Sequence, residues 1–210
     1  TLGCTFGKIG QEVVYLQGTE TGEVAEGFVH GAVGSSTMPH KRNPVAPEAL
    51  QTLSRLAKAN MGATFDSMYQ FHERDGASWK IEWMSLNDTV MLVGGVAAKG
   101  KKLLKNLDVF PERMETNLNL LKGLMMSEPV MLELGKKIGK QTAHEVVYEV
   151  SMAAFEEQAD FKAKLLENEI VAANMTEAEL DALLDPERYT GDCAAIAREV
   201  SASIREKRKK

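Results

Sequence analysis

Apolar positions recur every three or four residues through most of this chain, and that period predicts helices. Phe6, Ile9, Val13 and Leu16 mark a helix over residues 1 to about 17. It begins with no cap before it, so the chain is expected to enter mid-element, with earlier sequence missing. Leu50, Leu53, Ala57, Met61, Thr64 and Met68 fall at spacings of 3, 4, 4, 3 and 4. They predict a long helix from about Pro47 to Gln70 with a coiled-coil-like seam. A second long helix is predicted from about Ser85 to Leu107, with Leu86, Val90, Val93, Ala97 and Leu104 on its apolar face. Gly94 and Gly95 interrupt it, each costing about 1 kcal/mol relative to alanine, and close helix approach there is the expected compensation. Pro111 suits a first helical position, and Met114, Leu118 and Leu121 mark the short helix after it.

Near Lys122-Gly123 the helices shorten, and Gly135, Gly139 and Pro186 break the pattern. Thr142 to Glu145 and Thr176 to Glu179 both fit the capping box. No alternating strand pattern, internal repeat or low-complexity tract is present. The prediction is an all-α protein, with a long-helix bundle in residues 1–122 and a small helical domain in 123–210.

Composition changes this picture little. The 210 residues are 44% hydrophobic and 26% charged, ordinary for a soluble globular protein. No apolar run approaches a bilayer's thickness, so no membrane partner is expected. A net charge of −5 argues against nucleic acid as a partner. The basic run Arg205 to Lys210 reads as a solvated helix end. Cys4 and Cys193 stand far apart and fit a reducing cytosol rather than a disulfide framework.

The candidate chemistry lies between the first two helices. Glycines at 18, 22, 27 and 31 lead to Gly34-Ser35-Ser36-Thr37-Met38-Pro39-His40-Lys41-Arg42-Asn43-Pro44. Glycine frees the backbone, whereas the prolines fix φ and withhold donors. The prediction is a mobile loop over 18–47 with a stiff, cationic tip suited to an anionic substrate. Glu20, Glu23 and Glu26 are expected to be solvated or to pair with Lys41 or Arg42. No His, Cys, Asp or Glu cluster has metal-ligand spacing.

The string resembles the signature Gly-Ser-Ser-x-Met-Pro-x-Lys-x-Asn-Pro of the fumarase/aspartase superfamily, matching every fixed position. The resemblance continues more weakly from about residue 5 to about residue 200. It implies chemistry in which a proton leaves carbon next to a carboxylate and a group is lost, or added, one carbon away. Such chemistry needs a base at the carbon and positive charge at the carboxylate oxygens. By resemblance Ser35 is the base, activated in a closed, donor-rich pocket. Ser36, Lys41 and Asn43 hold the substrate carboxylate, Lys41 as a point charge and Asn43 through directional hydrogen bonds. Glu48 corresponds to the carboxylate that orients a general-acid histidine. It equally fits a plain first-turn acid favoured by the helix dipole. The histidine itself should lie upstream of this sequence, and His30, His40, His72 and His144 are not put in its place.

Arg74 sits in a His-Glu-Arg turn similar to one that binds substrate in adenylosuccinate lyases. That branch places a serine five residues later and an arginine nine residues later, both on the nucleotide phosphate. Here those positions are Trp79 and Trp83. Trp carries one N–H and no charge, so it cannot replace a guanidinium fork on phosphate. Both Trp residues also fit plain core packing between helices. The stretch Gly76 to Trp83, like Leu184 to Gly191, resembles the 3-carboxy-cis,cis-muconate cycloisomerase branch. The resemblance therefore implies a lyase or cycloisomerase of that type, with adenylosuccinate lyase and a non-catalytic helical scaffold as alternatives. It also implies a di- or tricarboxylate substrate, no cofactor, a cytoplasmic homotetramer and active sites shared between subunits. Residues 1–122 then form the latter part of a central bundle domain.

Overall fold

A computed structural model describes residues 1–27, 37–38 and 40–208. The chain divides into two compact units, Thr1–Asn117 and Leu118–Lys210, and each is described by itself. The sequence-based division at 122/123 falls a few residues later. The all-α expectation holds. Among the described residues, the exception is an antiparallel pair of two-residue strands, β1 (Val24–Ala25) and β2 (Asp108–Val109), with Val24 opposite Val109.

In the first unit α1 (Leu2–Leu16) and α3 (Gly76–Lys105) pack against α2 (Val45–Asp66) and touch each other. Val13, Val24, Leu50, Val96 and Leu103 form the core, flanked by Phe6, Ile9, Leu16 and Leu53. The stripe predicted for α1 therefore faces inward as expected. Two glycines allow the close approach. A Cβ on Gly10 would lie 2.5 Å from the Pro47 carbonyl oxygen, and one on Gly100 would collide with the Phe6 ring. Gly94 has nothing within 4 Å of such a Cβ, so the close contact expected at Gly94 and Gly95 falls instead at Gly100. Ser54 Oγ donates to the Gly3 carbonyl (2.6 Å) and ties α2 to the start of α1.

Both long helices depart from their predicted limits. α2 ends at Asp66, and its seam is buried at Leu50 and Ala57 but open at Met68. α3 starts at Gly76, not near Ser85, so Trp79 and Trp83 are helical. The reason is a cap: the Asp75 carboxylate accepts from the backbone N–H groups of Ala77 and Ser78 (both 3.3 Å) and from Ser78 Oγ (2.8 Å). Those bonds, the Ser78 hydroxyl first, hold the Asp75 carboxyl below its usual range. The buried face of α3 is Ser78, Ser85, Val96, Gly100 and Leu103, whereas Leu86, Val90 and Leu104 of the predicted face are exposed. Gly100 leaves room for the Phe6 ring of α1, so that face, and not the one through Leu86, turns to the core. α4 (Pro111–Leu118) follows β2, with proline at its first position as expected.

The second unit is built from α5 (Ser127–Ile138), α6 (Lys140–Glu156), α7 (Phe161–Glu167), α8 (Glu169–Asn174), α9 (Glu177–Leu184) and α10 (Cys193–Lys207). Short 3₁₀ turns cover Leu124–Met126 and Pro186–Tyr189. The core centres on Val130, Leu134, Val147, Phe161, Leu165 and Leu180. Of the two predicted capping boxes, Thr176 with Glu179 forms at the start of α9. Thr142 does not cap: α6 already begins at Lys140, because Gly139 (φ 88°) takes the cap position with a backbone that β-carbons disfavour.

The capping carboxylate makes a pH prediction. The Lys137 ammonium, with the backbone and hydroxyl of Thr176 next in size, lowers the Glu179 pKa from 4.5 to about 2. A depressed carboxylate stabilises the fold above its unfolded value, and that contribution is lost as pH falls from 4.5 through about 2. Glu179→Gln in the full-length protein should flatten acid unfolding across that window, measured by circular dichroism. An unchanged profile would remove the cap as a contributor.

Candidate active site

Gln17, the C-cap of α1, reaches both ends of the signature loop. Its side-chain oxygen accepts from the Glu26 N–H (2.8 Å), and its side-chain amide donates to the Arg42 carbonyl (3.4 Å). The Glu26 carboxylate accepts from the Ala46 N–H (2.9 Å), one of the free donors in the first turn of α2. The Glu23 carboxylate accepts from Asn117 Nδ2 (2.8 Å). Glu23 and Glu26 thus fasten the loop's N-terminal arm to helix ends. The β1–β2 pairing adds a further tie.

On the other arm, the Lys41 N–H donates to the Met38 carbonyl (3.0 Å), and the Val45 N–H donates to the Asn43 carbonyl (2.9 Å). This compact turn leads straight into α2. Lys41 is exposed and Asn43 half-buried. Glu48 lies exposed in the first turn of α2, where its N–H donates to the Pro44 carbonyl (3.0 Å). Lys41, Asn43 and Glu48 therefore share the N-terminal end of α2, where the helix dipole adds positive potential. Ser35 and Ser36, like His30, lie outside the described residues. A cavity of about 770 Å³ opens beside this end, lined by Glu26, Ala46, Lys99, Lys102 and Lys105 among others. The lysine row was not read from the sequence as part of a site. Its signal is the spacing of three between cations at the C-terminal end of α3.

Arg74 lies elsewhere. It occupies the turn at the far end of α2, exposed, with φ 50°. The 22 residues of α2 separate the two ends by about 33 Å at 1.5 Å per residue. One chain therefore does not bring Arg74 to Lys41 and Asn43. The turn itself is well fastened: the Ser78 hydroxyl shares its one proton between the Tyr69 carbonyl (2.6 Å) and the Asp75 carboxylate (2.8 Å), and the Asp75 N–H donates to the Gln70 side-chain oxygen (3.1 Å). His72 (φ 61°) sets its ring edge-on against Phe71, 4.4 Å between centroids. Trp79 and Trp83 are 45% and 54% exposed and lie against each other at 4.6 Å. The core-packing alternative for them does not hold within this chain.

The stretch Leu184 to Gly191 serves structure. The Asp185 carboxylate accepts from the Glu187 N–H (3.0 Å) and pairs with Arg188 (3.1 Å). Tyr189 donates its hydroxyl to the Glu128 carboxylate (2.9 Å), and that bond raises its pKa. Among the described residues no group of three His, Cys, Asp or Glu side chains is placed to hold a metal ion, and no helix is long and apolar enough to cross a membrane.

A helical chain that carries the string Ser-Ser-x-Met-Pro-x-Lys-x-Asn-Pro before a long helix, with Gln17 bonded to both Glu26 and Arg42, defines a class, and comparisons with known proteins agree with it. Residues 1–57 match the family described as "Lyase", and residues 123–200 match "Adenylosuccinate lyase C-terminus". The chain belongs to the fumarase/aspartase superfamily. It is 43% identical to N-acetyl-S-(2-succino)cysteine lyase of Dickeya dadantii over 93% of its own length and 43% of that protein. It is 39% identical to 3-carboxy-cis,cis-muconate cycloisomerase of Pseudomonas aeruginosa, over 91% of this chain and 42% of that one. Among solved structures, the 3-carboxy-cis,cis-muconate lactonizing enzyme of Pseudomonas putida superposes with a TM-score of 0.83 at 34% identity, over 97% of this chain and 45% of that one. The chain thus spans less than half the length of the curated relatives it matches.

Proposed function

We propose that the full-length protein is a lyase that takes a proton from carbon next to a carboxylate and expels a group from the neighbouring carbon. The observation that carries this reading is the complete motif in the sequence, with Lys41 and Asn43 at the N-terminal end of α2. In the forward direction Ser35 removes the proton, and the electron pair moves onto the carboxylate. Lys41, Asn43 and Ser36 hold the charge that builds on the oxygens. The pair then returns to form the double bond as the bond to the leaving group breaks. A thioether sulfur leaves as a thiol after taking a proton from a general acid.

For the substrate, we favour a small carboxylate without a nucleotide. Trp79 and Trp83 supply no charge for a phosphate, which weighs against adenylosuccinate. The 43% identity with an N-acetyl-S-(2-succino)cysteine lyase supports a 2-succinyl thioether, cleaved to fumarate and a thiol. The TM-score of 0.83 with a muconate lactonizing enzyme supports the second reading, addition of a carboxylate across a double bond to give a lactone. The distance along α2 supports a site completed by a second copy of the chain. Exposed Phe65, Leu86, Val90 and Met91 on α2 and α3 support the expected homotetramer. The free, exposed Cys4 and Cys193 fit a reducing compartment such as the cytoplasm.

The test is a turnover panel on the full-length protein with N-acetyl-S-(2-succino)cysteine, 3-carboxy-cis,cis-muconate and adenylosuccinate. The reading expects turnover of one of the first two, with kcat/KM at least about 10⁴ M⁻¹s⁻¹. Efficient turnover of adenylosuccinate alone would overturn the substrate class. No turnover of any would favour the non-catalytic scaffold.

A further inference from the structure

We propose that Gln17 and Glu26 are positioning residues for the reaction. Together they set the stretch of backbone that carries Lys41 and Asn43, and with it the place where a substrate carboxylate is held. This rests on the lyase reading above and adds to it two side chains that act without touching the substrate.

The first observation is a cap supplied from a distance. A helix commonly takes a side-chain acceptor from its own N-cap residue. The N-cap of α2 is Pro44, which offers none. The acceptor comes instead from Glu26, 20 residues back, whose carboxylate takes the Ala46 N–H (2.9 Å). A local cap would fix the head of α2 alone. This one makes the head of α2 depend on the arm that enters the signature loop.

The second observation is the side chain that holds the cap in place. Gln17 Oε1 accepts from the Glu26 N–H (2.8 Å), and its Nε2 donates to the Arg42 carbonyl (3.4 Å). A primary amide carries the acceptor and the donor side by side, as this bridge requires. Arg42 and Ala46 are thereby fixed on either side of Asn43, and Lys41 directly precedes the first of them. The entering arm has its own anchors. The Glu23 N–H donates to the Leu16 carbonyl, and the Phe110 N–H donates to the Glu23 carbonyl (both 2.9 Å). A Cβ on Gly27 would lie 2.2 Å from the Asn106 carbonyl oxygen, so the backbone there is pressed against the end of α3. Residues 23–27 form a fixed base, and Gln17 and Glu26 carry its position across to the motif. Both side chains are half-buried, and the net contribution of such hydrogen bonds to folding is modest. A displacement of about 1 Å in a group that holds substrate can cost about 10²-fold in rate. The same bonds therefore weigh more on Lys41 and Asn43 than on the fold.

The test uses the full-length protein. Gln17→Met keeps the length of the side chain and loses both bonds. It should lower kcat/KM about ten- to hundredfold on whichever of N-acetyl-S-(2-succino)cysteine and 3-carboxy-cis,cis-muconate is turned over. Fumarate, which carries two carboxylates, should bind about tenfold more weakly in calorimetry. Glu26→Gln keeps an acceptor for the Ala46 N–H, so it should recover most of what Glu26→Leu loses. A double-mutant cycle separates positioning from plain structure. Where Gln17 acts through Lys41, Gln17→Met combined with Lys41→Met is about as impaired as Lys41→Met alone. The melting midpoint of Gln17→Met should stay within about 4 °C of wild type. If no substrate turns over but fumarate binding follows the same cycle, the positioning role stands and the reaction assignment falls. Four results would overturn the proposal: wild-type kcat/KM in Gln17→Met, additive losses in the double variant, unfolding of both Gln17→Met and Glu26→Leu, or no binding of any of these carboxylates by the wild type.

Discussion

Ser35→Ala in the full-length protein is expected to lower kcat by about 10²–10⁴-fold, the range that a positioned general base contributes. KM should change little, because the serine is asked to act on the proton rather than to hold the carboxylate. Ser36→Ala is the control, since its hydroxyl is assigned to binding and its loss should appear mainly in KM. A serine hydroxyl ionises far above neutral pH in water, so the base works only with donors around it. Lys41 supplies charge in the same motif, and Lys41→Met should therefore impair both binding and turnover. Unchanged kcat in Ser35→Ala would end its role as base.

Arg74→Ala carries the second large effect. Truncating one partner of a charge-assisted carboxylate pair costs about 2–5 kcal/mol, so kcat/KM should fall by at least about 30-fold. Arg74→Lys keeps the charge but loses the planar fork, so it should recover only part of the activity. Backbone geometry offers a control for folding. Arg74 holds φ 50°, where glycine is less strained than alanine. Arg74→Gly removes the cation while easing the backbone, and it should lose as much activity as Arg74→Ala. Recovery in the glycine variant would show that the turn, not the guanidinium, is what matters.

How much of this was legible beforehand depends on how local each feature is. The loop motif is one contiguous string, and it pointed to the superfamily before any geometry was known. The stripe of α1 and the capping box at Thr176 are also local patterns, and both fold as read. The inner face of α3 was not legible. Its apolar stripe at Leu86, Val90 and Leu104 is strong, yet the chain buries Ser85, Val96 and Gly100 instead. Periodicity gives the number of faces on a helix but not which one its own chain covers. The clamp by Gln17 and Glu26 escaped for a related reason: side-chain bonds to distant helix ends leave no period in the sequence. Thr142 failed as a cap because Gly139 started the helix earlier. The separation of Arg74 from Lys41 was legible in the long helix predicted from Pro47 to Gln70, and α2, which ends at Asp66, keeps the two apart.

That separation makes the sharpest demand on the account: the loop of one chain has to work with Arg74 of another. The direct measurement mixes full-length Ser35→Ala and Arg74→Ala proteins under conditions of subunit exchange and follows turnover. Each parent carries one broken half. Random assembly gives sites in which both halves are intact, and activity should rise to about one quarter of wild type. A mixture that has exchanged subunits, yet stays as inactive as its parents, would contradict the shared site.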